Sequence, residues 1–285
     1  MSRPVYVTGV GMTAFGRHLD RSIKDLTRMA VEEALADAGA DKSQLQAAIF
    51  SNCTQGHFEG QHMIRGELAL RAMGIGGIPV VNVENACASA STAFHLAVMY
   101  VQSGAVDIAL AVGAEKMISE NKSLMFSAFD AAWDVHEVEQ SKGHLLEMGH
   151  GVTPPPGSMS DKPYSVFMDI YAAMGRMHMR EFGTTQRQFA AVAAKNHAHS
   201  VHNPRSQYQK PFSIDEVMAS APIAYPLTLL MCSPVTDGAA AAIVCSEAGL
   251  KRLRGAARRA VKVRASVIQT GSDRPATQLE RHAVR

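Results

Sequence analysis

The stretch Pro79-Val80-Val81-Asn82-Val83-Glu84-Asn85-Ala86-Cys87-Ala88-Ser89-Ala90-Ser91-Thr92-Ala93 decides the fold. Residues 79–83 are short, valine-rich and β-forming. Glu84, Asn85 and Ala86 turn the chain, and Cys87 opens a helix of small residues that runs to Ser103 and stops at Gly104. Residues 106–112 are almost wholly apolar, the composition of a strand covered on both faces. Upstream, residues 5–10 read as a first strand ending at Gly9 and Gly11. Ser22-x-x-Asp25 starts a helix carried by Ile23, Leu26, Ala30 and Ala34 and closed by Gly39. Residues 47–51 form another strand. Strands alternating with helices of these lengths predict an α/β layered fold.

After Gly113 the pattern changes. Residues 115–165 scatter Gly, Pro and His, and Pro154-Pro155-Pro156-Gly157 breaks regular structure, so this stretch reads as irregular. Helices follow over about 165–181 and 185–200, the first stopped by Gly183 and the second opened by the capping box Thr185-x-x-Gln188. The α/β pattern returns with the buried-strand run 238–245, a short helix to Leu253 and a β-like stretch at 261–268. The expected division is 1–114, an insertion 115–221, a return to the first body over 222–254, and 255–285 as a new beginning with a polar tail.

Composition narrows the class. The chain has 285 residues, 47% of them apolar and 19% charged, which suits a substantial core and excludes collagenous, disordered and disulfide-scaffold proteins. No apolar run reaches a membrane span, and the N-terminus lacks the pattern of a signal peptide. The four cysteines form no CxxC pair and no metal-ligand spacing, so no metal is expected and the expected location is cytoplasmic, with reduced thiols. From Leu250 onward ten Lys/Arg (including Arg252, Arg258, Arg259, Arg274, Arg281 and Arg285) face only Asp273 and Glu280; the rest of the chain carries 18 basic and 24 acidic residues. That block contains no aromatic residue, so it reads as a solvated tail and not as a nucleic-acid surface.

Cys87 carries the chemistry. A thiol between a buried strand and a helix start meets unpaired N–H groups at the positive end of the helix dipole, which favours the nucleophilic thiolate. The arrangement parallels the strand–turn–helix elbow of hydrolases with Cys in place of Ser, although a small buried cysteine in a tightly packed helix fits the same context. Cys53, Cys232 and Cys245 lack the placement and read as packing. Gly9-Val10-Gly11-Met12-Thr13-Ala14 looks like a dinucleotide fingerprint, but eight residues separate it from a credible helix, so a tight strand exit is the better reading. His197, His199 and His202 lack metal-ligand spacing and read as a polar helix end. Met148, Met159, Met168, Met174, Met177 and Met179 make the insertion methionine-rich, as ordinary packing or an adaptable acyl pocket would.

The run around Cys87 resembles the nucleophile segment of thiolases, in particular the sterol-carrier-protein type and its bacterial relatives. Other stretches agree in the same order: Val7-Thr-Gly-Val-Gly-Met-Thr-Ala-Phe-Gly16, Gly113-Ala-Glu-Lys-Met117, Phe182-Gly-Thr-Thr-Gln186, Lys195-Asn-His-Ala-His199, Pro226-Leu-Thr-Leu-Leu230 and Ser233-Pro-Val-Thr-Asp-Gly-Ala-Ala-Ala-Ala242. The resemblance implies a five-layered αβαβα fold of two similar halves, a loop domain inserted over the active site, and a dimer. It makes Cys87 the acyl-accepting nucleophile and puts Ser233 near the coenzyme A channel. The family's second half also supplies a His-Asp or Asn-Glu loop, a Gly-His-Pro segment and a Cys-x-Gly or similar glycine-rich loop. None of these occurs in this sequence. The expectation is an acyltransferase acting on acyl-CoA or 3-ketoacyl-CoA, incomplete alone, with most of the C-terminal half truncated or supplied by a partner subunit. Coenzyme A thioester enters as substrate and no separate cofactor is expected. The rival expectations are a non-catalytic structural or interaction subunit that needs a partner chain, and a nicotinamide-dependent oxidoreductase built on residues 9–14.

Overall fold

The computed structural model describes residues 3–254 and 259–270. They fall into two units, one drawn from Met1–Glu120 and Val235–Gln269, the other from Asn121–Pro234 with Thr270. In chain order the first unit begins with β1 (Tyr6–Met12), α1 (Ile23–Ala38), β2 (Ala47–Ser51), α2 (Gln55–Glu59), α3 (Arg65–Arg71), β3 (Val80–Val83), α4 (Ser89–Gln102) and β4 (Ile108–Glu115). The second unit holds α5 (Lys122–Asp130), α6 (Val138–Glu147), α7 (Val166–Phe182), α8 (Gln186–Ser200), α9 (Ile214–Ala219) and the short pair β5 (Pro222–Ala224) and β6 (Leu227–Thr228). The first unit then closes with β7 (Gly238–Cys245), α10 (Glu247–Arg252) and β8 (Val261–Lys262).

The first unit is built on a six-stranded sheet of order β3-β2-β4-β7-β1-β8, in which β3, β2 and β4 run parallel and each later neighbour is antiparallel. The apolar strands are sorted by the two-residue alternation of a strand. Phe50, Leu110, Val112 and Ile243 face α1 and α3, where Leu26, Ala30, Val31, Ala34 and Leu70 meet them. Ile49, Ala109, Ala111 and Val244 face Ala93, Ala97, Val98 and Val101 of α4. Helices therefore cover both faces, as the unbroken apolar run of β4 requires.

Gly9 and Gly11 do not end the first strand; β1 continues through Met12. A Cβ at Gly9 would lie 2.3 Å from the carbonyl oxygen of Ala34, and one at Gly11 would lie 2.1 Å from that of Ala30, so both glycines serve the close approach of β1 to α1. The N–H groups of Val10 and Met12 donate to Asp37 and Glu33 of that helix at 3.0 and 2.9 Å. The helix that follows, α1, starts only at Ile23, well past residues 9–14. The oxidoreductase reading loses its footing.

Three further expectations need correction. Residues 115–165 contain two helices, α5 and α6, where irregular chain was expected. α5 is capped by Asn121, whose side chain accepts from the N–H groups of Ser123 and Leu124. α6 lays Val138, Leu145 and Leu146 on a cluster with Trp133, Met148 and Ile170. The β-like stretch at 261–268 forms a strand only over Val261 and Lys262, which pair with Val7 and Tyr6, and one further N–H, of Val263, donates to the Val5 carbonyl at 2.9 Å. The basic C-terminal block is not wholly a solvated tail, since Arg252 and Arg259 reach Asp107 and Asp37 at 3.7 and 2.5 Å; Arg258, Arg274, Arg281, Arg285, Asp273 and Glu280 lie outside the described residues. No helix among the described residues is long and apolar enough to cross a membrane.

Candidate active site

Cys87 sits at the carboxyl end of the parallel strands, in the exposed turn that joins β3 to α4. It does not open the α-helix as expected. Ala86–Ala88 form a 3-10 turn, and α4 begins at Ser89. The turn is strained: Ala86 has φ of 43°, a left-handed conformation that costs a residue with a Cβ roughly 1–3 kcal/mol. The polar residues of the segment hold it. Ser89 accepts from the N–H of Asn85 at 2.8 Å and donates to the carbonyl of Ala86 at 2.7 Å. Thr92 donates to the carbonyl of Ala88 at 2.9 Å and accepts from the Asn85 amide at 3.0 Å. The small residues have a separate job. A Cβ at Gly113 of β4 would lie 2.6 Å from Ser51 Oγ and 3.0 Å from Ala90 Cβ, so the first turn of α4 rests directly on the sheet.

Two carboxylates and a second thiol share this end of the sheet. β2 and β3 are paired from Ala48↔Val80 to Ser51↔Val83, which carries Cys53 and Glu84 past the ends of adjacent strands. Glu84 Oε1 accepts from the Ala86 N–H at 2.5 Å and from the Cys53 thiol at 3.5 Å. Glu115, at the end of β4, accepts from the N–H of Cys53, from the N–H and hydroxyl of Thr54 at 3.2 and 2.6 Å, and from the Asn52 amide at 3.2 Å. Burial pushes the Glu115 carboxyl up, and its hydrogen bonds from Thr54 and Cys53, with Arg65 nearby, pull it back. Burial first, and then Glu115 and Glu84, push the Cys53 thiol up to about 12. Burial likewise raises Cys232, and Cys245 to about 11. Cys87 is the one exposed thiol of the four.

Ser233 lies exposed in the second unit, just after the turn Leu229–Met231. The neighbouring Asp237 belongs to the first unit and is fully buried. Its carboxylate accepts from the N–H groups of Met117, Ile118 and His18 at 2.8, 2.9 and 3.1 Å and lies 3.6 Å from Lys116 Nζ. Asp237 therefore ties the end of β4 to the start of β7. His18 contacts the Ala14 carbonyl at 2.7 Å, and His95 contacts the Ser266 hydroxyl at 3.0 Å. His197 is buried against Tyr208 and Phe212 with its ring on the Leu230 carbonyl at 2.9 Å, a packing role. Sequence reasoning missed Glu84, Glu115 and Asp237, although the quoted segment contains Glu84 and the other matching stretches contain the remaining two. The available signal was an acid directly after one strand, at the end of a second and directly before a third.

Residues 5–248 match the family described as "Thiolase, N-terminal domain". The chain is 36% identical over 280 residues to "Sterol carrier protein 2" of Gallus gallus, covering 97% of this chain and 47% of that protein. It is 37% identical over 245 residues to "Acetyl-CoA acetyltransferase" of Methanothermobacter thermautotrophicus, covering 85% and 57%. The chain thus spans about half the length of the curated relatives it matches. Among solved structures it shares the fold of a monomeric SCP2-thiolase like protein type 1 from Mycobacterium smegmatis, with a TM-score of 0.60 and 17% identity over 87% of this chain and 47% of that one. With that fold, and the family's match running through both units, this chain belongs to the thiolase superfamily, sterol-carrier-protein type.

Proposed function

We propose that the protein is a thiolase-like acyltransferase component that takes an acyl group from acyl-CoA or 3-ketoacyl-CoA onto Cys87. The Cys87 sulfur attacks the thioester or 3-keto carbonyl carbon and a new C–S bond forms. The bond to coenzyme A, or to the departing carbon, breaks with the electron pair leaving on that fragment, which takes up a proton in place of the one the Cys87 thiol gives up. The acyl-cysteine then passes its acyl group to coenzyme A or to a carbon nucleophile. The observation that carries this reading is the turn itself: an exposed thiol on a strained, hydrogen-bonded elbow, while the other three thiols are half-buried or buried. Ser233 is assigned to the coenzyme A side of the site. Coenzyme A is substrate here, with no further cofactor. The division 1–114, 115–221, 222–254 and 255–285 is kept as the functional layout, and a homodimer or hetero-oligomer as the working assembly.

The rival reading is a non-catalytic structural or interaction subunit that needs a partner chain. On that reading the chain is a structural subunit and Cys87 accepts nothing. Mixing the folded chain with acetyl-CoA and following free coenzyme A by chromatography separates the two. Stoichiometric release that disappears in Cys87→Ala supports acyl transfer, whereas equal release by both proteins, or none, supports the structural role.

A further inference from the structure

Cys53 is a second thiol at the same sheet edge as Cys87, and a site that commits an acyl group to one sulfur has to keep the other out of reaction. One side chain touches both problems. Glu84 follows β3 directly, and its Oε1 accepts from the N–H of Ala86, inside the strained turn, and from the thiol of Cys53. We propose that Glu84 is the positioning residue that steers electrophiles to Cys87 and away from Cys53, by fixing the nucleophile's turn with the same carboxylate oxygen that holds the neighbouring S–H. This inference rests on the reading of Cys87 as the acyl acceptor.

The two halves of the role have separate physical sources. A carboxylate is a strong acceptor, so its bond to the Ala86 N–H holds a backbone conformation that a residue with a Cβ otherwise leaves. The left-handed φ at Ala86 sets the direction in which the next residue, Cys87, projects. Towards Cys53 the same negative charge opposes formation of a second anion. Burial of Cys53 is the first cause of its raised thiol, and the Glu115 carboxylate acts in the same sense, ahead of Glu84. Cys53 thus stays a neutral thiol, and the thiolate is the nucleophilic form of cysteine.

The test is a limiting pulse of iodoacetamide on the folded full chain, followed by peptide mapping of the Cys87-to-Cys53 labelling ratio in wild type, Glu84→Gln and Glu84→Ala. Circular dichroism on each protein checks the fold. Glu84→Gln keeps an oxygen for the Ala86 N–H and loses the charge, so Cys87 labelling stays within about twofold while Cys53 labelling rises about threefold, less than the roughly tenfold of a full unit of thiol ionisation because burial and Glu115 remain. Glu84→Ala removes both functions, so Cys87 labelling falls about tenfold while Cys53 labelling rises. A purely structural role would loosen the sheet edge and raise both thiols together. Parallel rises in Glu84→Ala, or an unchanged ratio in both variants, overturn the inference, and so does a wild type that labels Cys53 before Cys87. A wild type that labels Cys232 or Cys245 first overturns the nucleophile assignment instead, and the ratio still decides the role of Glu84.

Discussion

A methyl group at Gly11 has nowhere to go, because the Ala30 carbonyl oxygen 2.1 Å away is helix backbone and cannot rotate aside. Gly11→Ala is therefore expected to destabilise the first unit by about 1–3 kcal/mol or more, read as a lowered urea midpoint. An unchanged midpoint would mean that β1 and α1 sit farther apart. Cys53 makes a pH-dependent prediction. Its folded value, pushed up from 9.0 to about 12, lies above its unfolded value, so the native state holds a proton that the unfolded chain gives up. The stability this contributes is complete below about pH 9 and is lost as pH rises towards about 12. Urea midpoints should fall between about pH 8.5 and about pH 10.5. Cys53→Ala should reduce the fall without abolishing it, since Tyr164 and Cys245 are raised in the same range. An identical fall in Cys53→Ala would contradict the burial of that thiol. At this scale the sequence shows Cys87 plainly, since a cysteine after a short valine-rich strand and before a run of Ala and Ser is a local pattern. The roles of Glu84 and Glu115 are not local: they depend on β2, β3 and β4 lying side by side, which no spacing along the chain encodes.

Helix starts were legible because a cap is a contact between residues three apart. Ser22 and Asp25 bond reciprocally at the start of α1, Thr185 and Gln188 do so for α8, and Gly39 and Gly183 take the left-handed conformation that closes α1 and α7. Ser22→Ala should cost about 0.5–2 kcal/mol and Ser22→Asp much less, with the urea midpoint as the measure; equal losses would mean that the capping box contributes nothing. α5 and α6 were not legible. Each is ten residues or fewer, too short for a clear helical period, and the apolar residues of α6 are sorted by packing onto Trp133 and Ile170. The end of β1 was misjudged for a related reason. Glycine in a strand signals either a turn or close packing, and only the position of α1 distinguishes them. Asp237 joins elements from opposite ends of the first unit's sequence. Asp237→Asn keeps the shape and removes the charge that three N–H groups and Lys116 share, so a loss of about 3–5 kcal/mol is expected. Full stability in Asp237→Asn would show that the charge is dispensable.

Association and activity belong to the whole molecule. Met99 on α4, with Val261, Val267 and Ile268, leaves apolar side chains exposed on the first unit although its sheet is covered on both faces. Such surface favours a partner, and light scattering at micromolar concentration is expected to show a dimer or larger species; a clean monomer would contradict this. The acylation step on Cys87 is the part of the proposed activity that leaves a direct trace. Exposing the folded chain to acetyl-CoA, quenching in acid and mapping the peptides locates any acyl group directly. An acetyl group on the Cys87 peptide, and on no other cysteine peptide, is the predicted result. Acetylation of Cys53, Cys232 or Cys245 with Cys87 left free would contradict it.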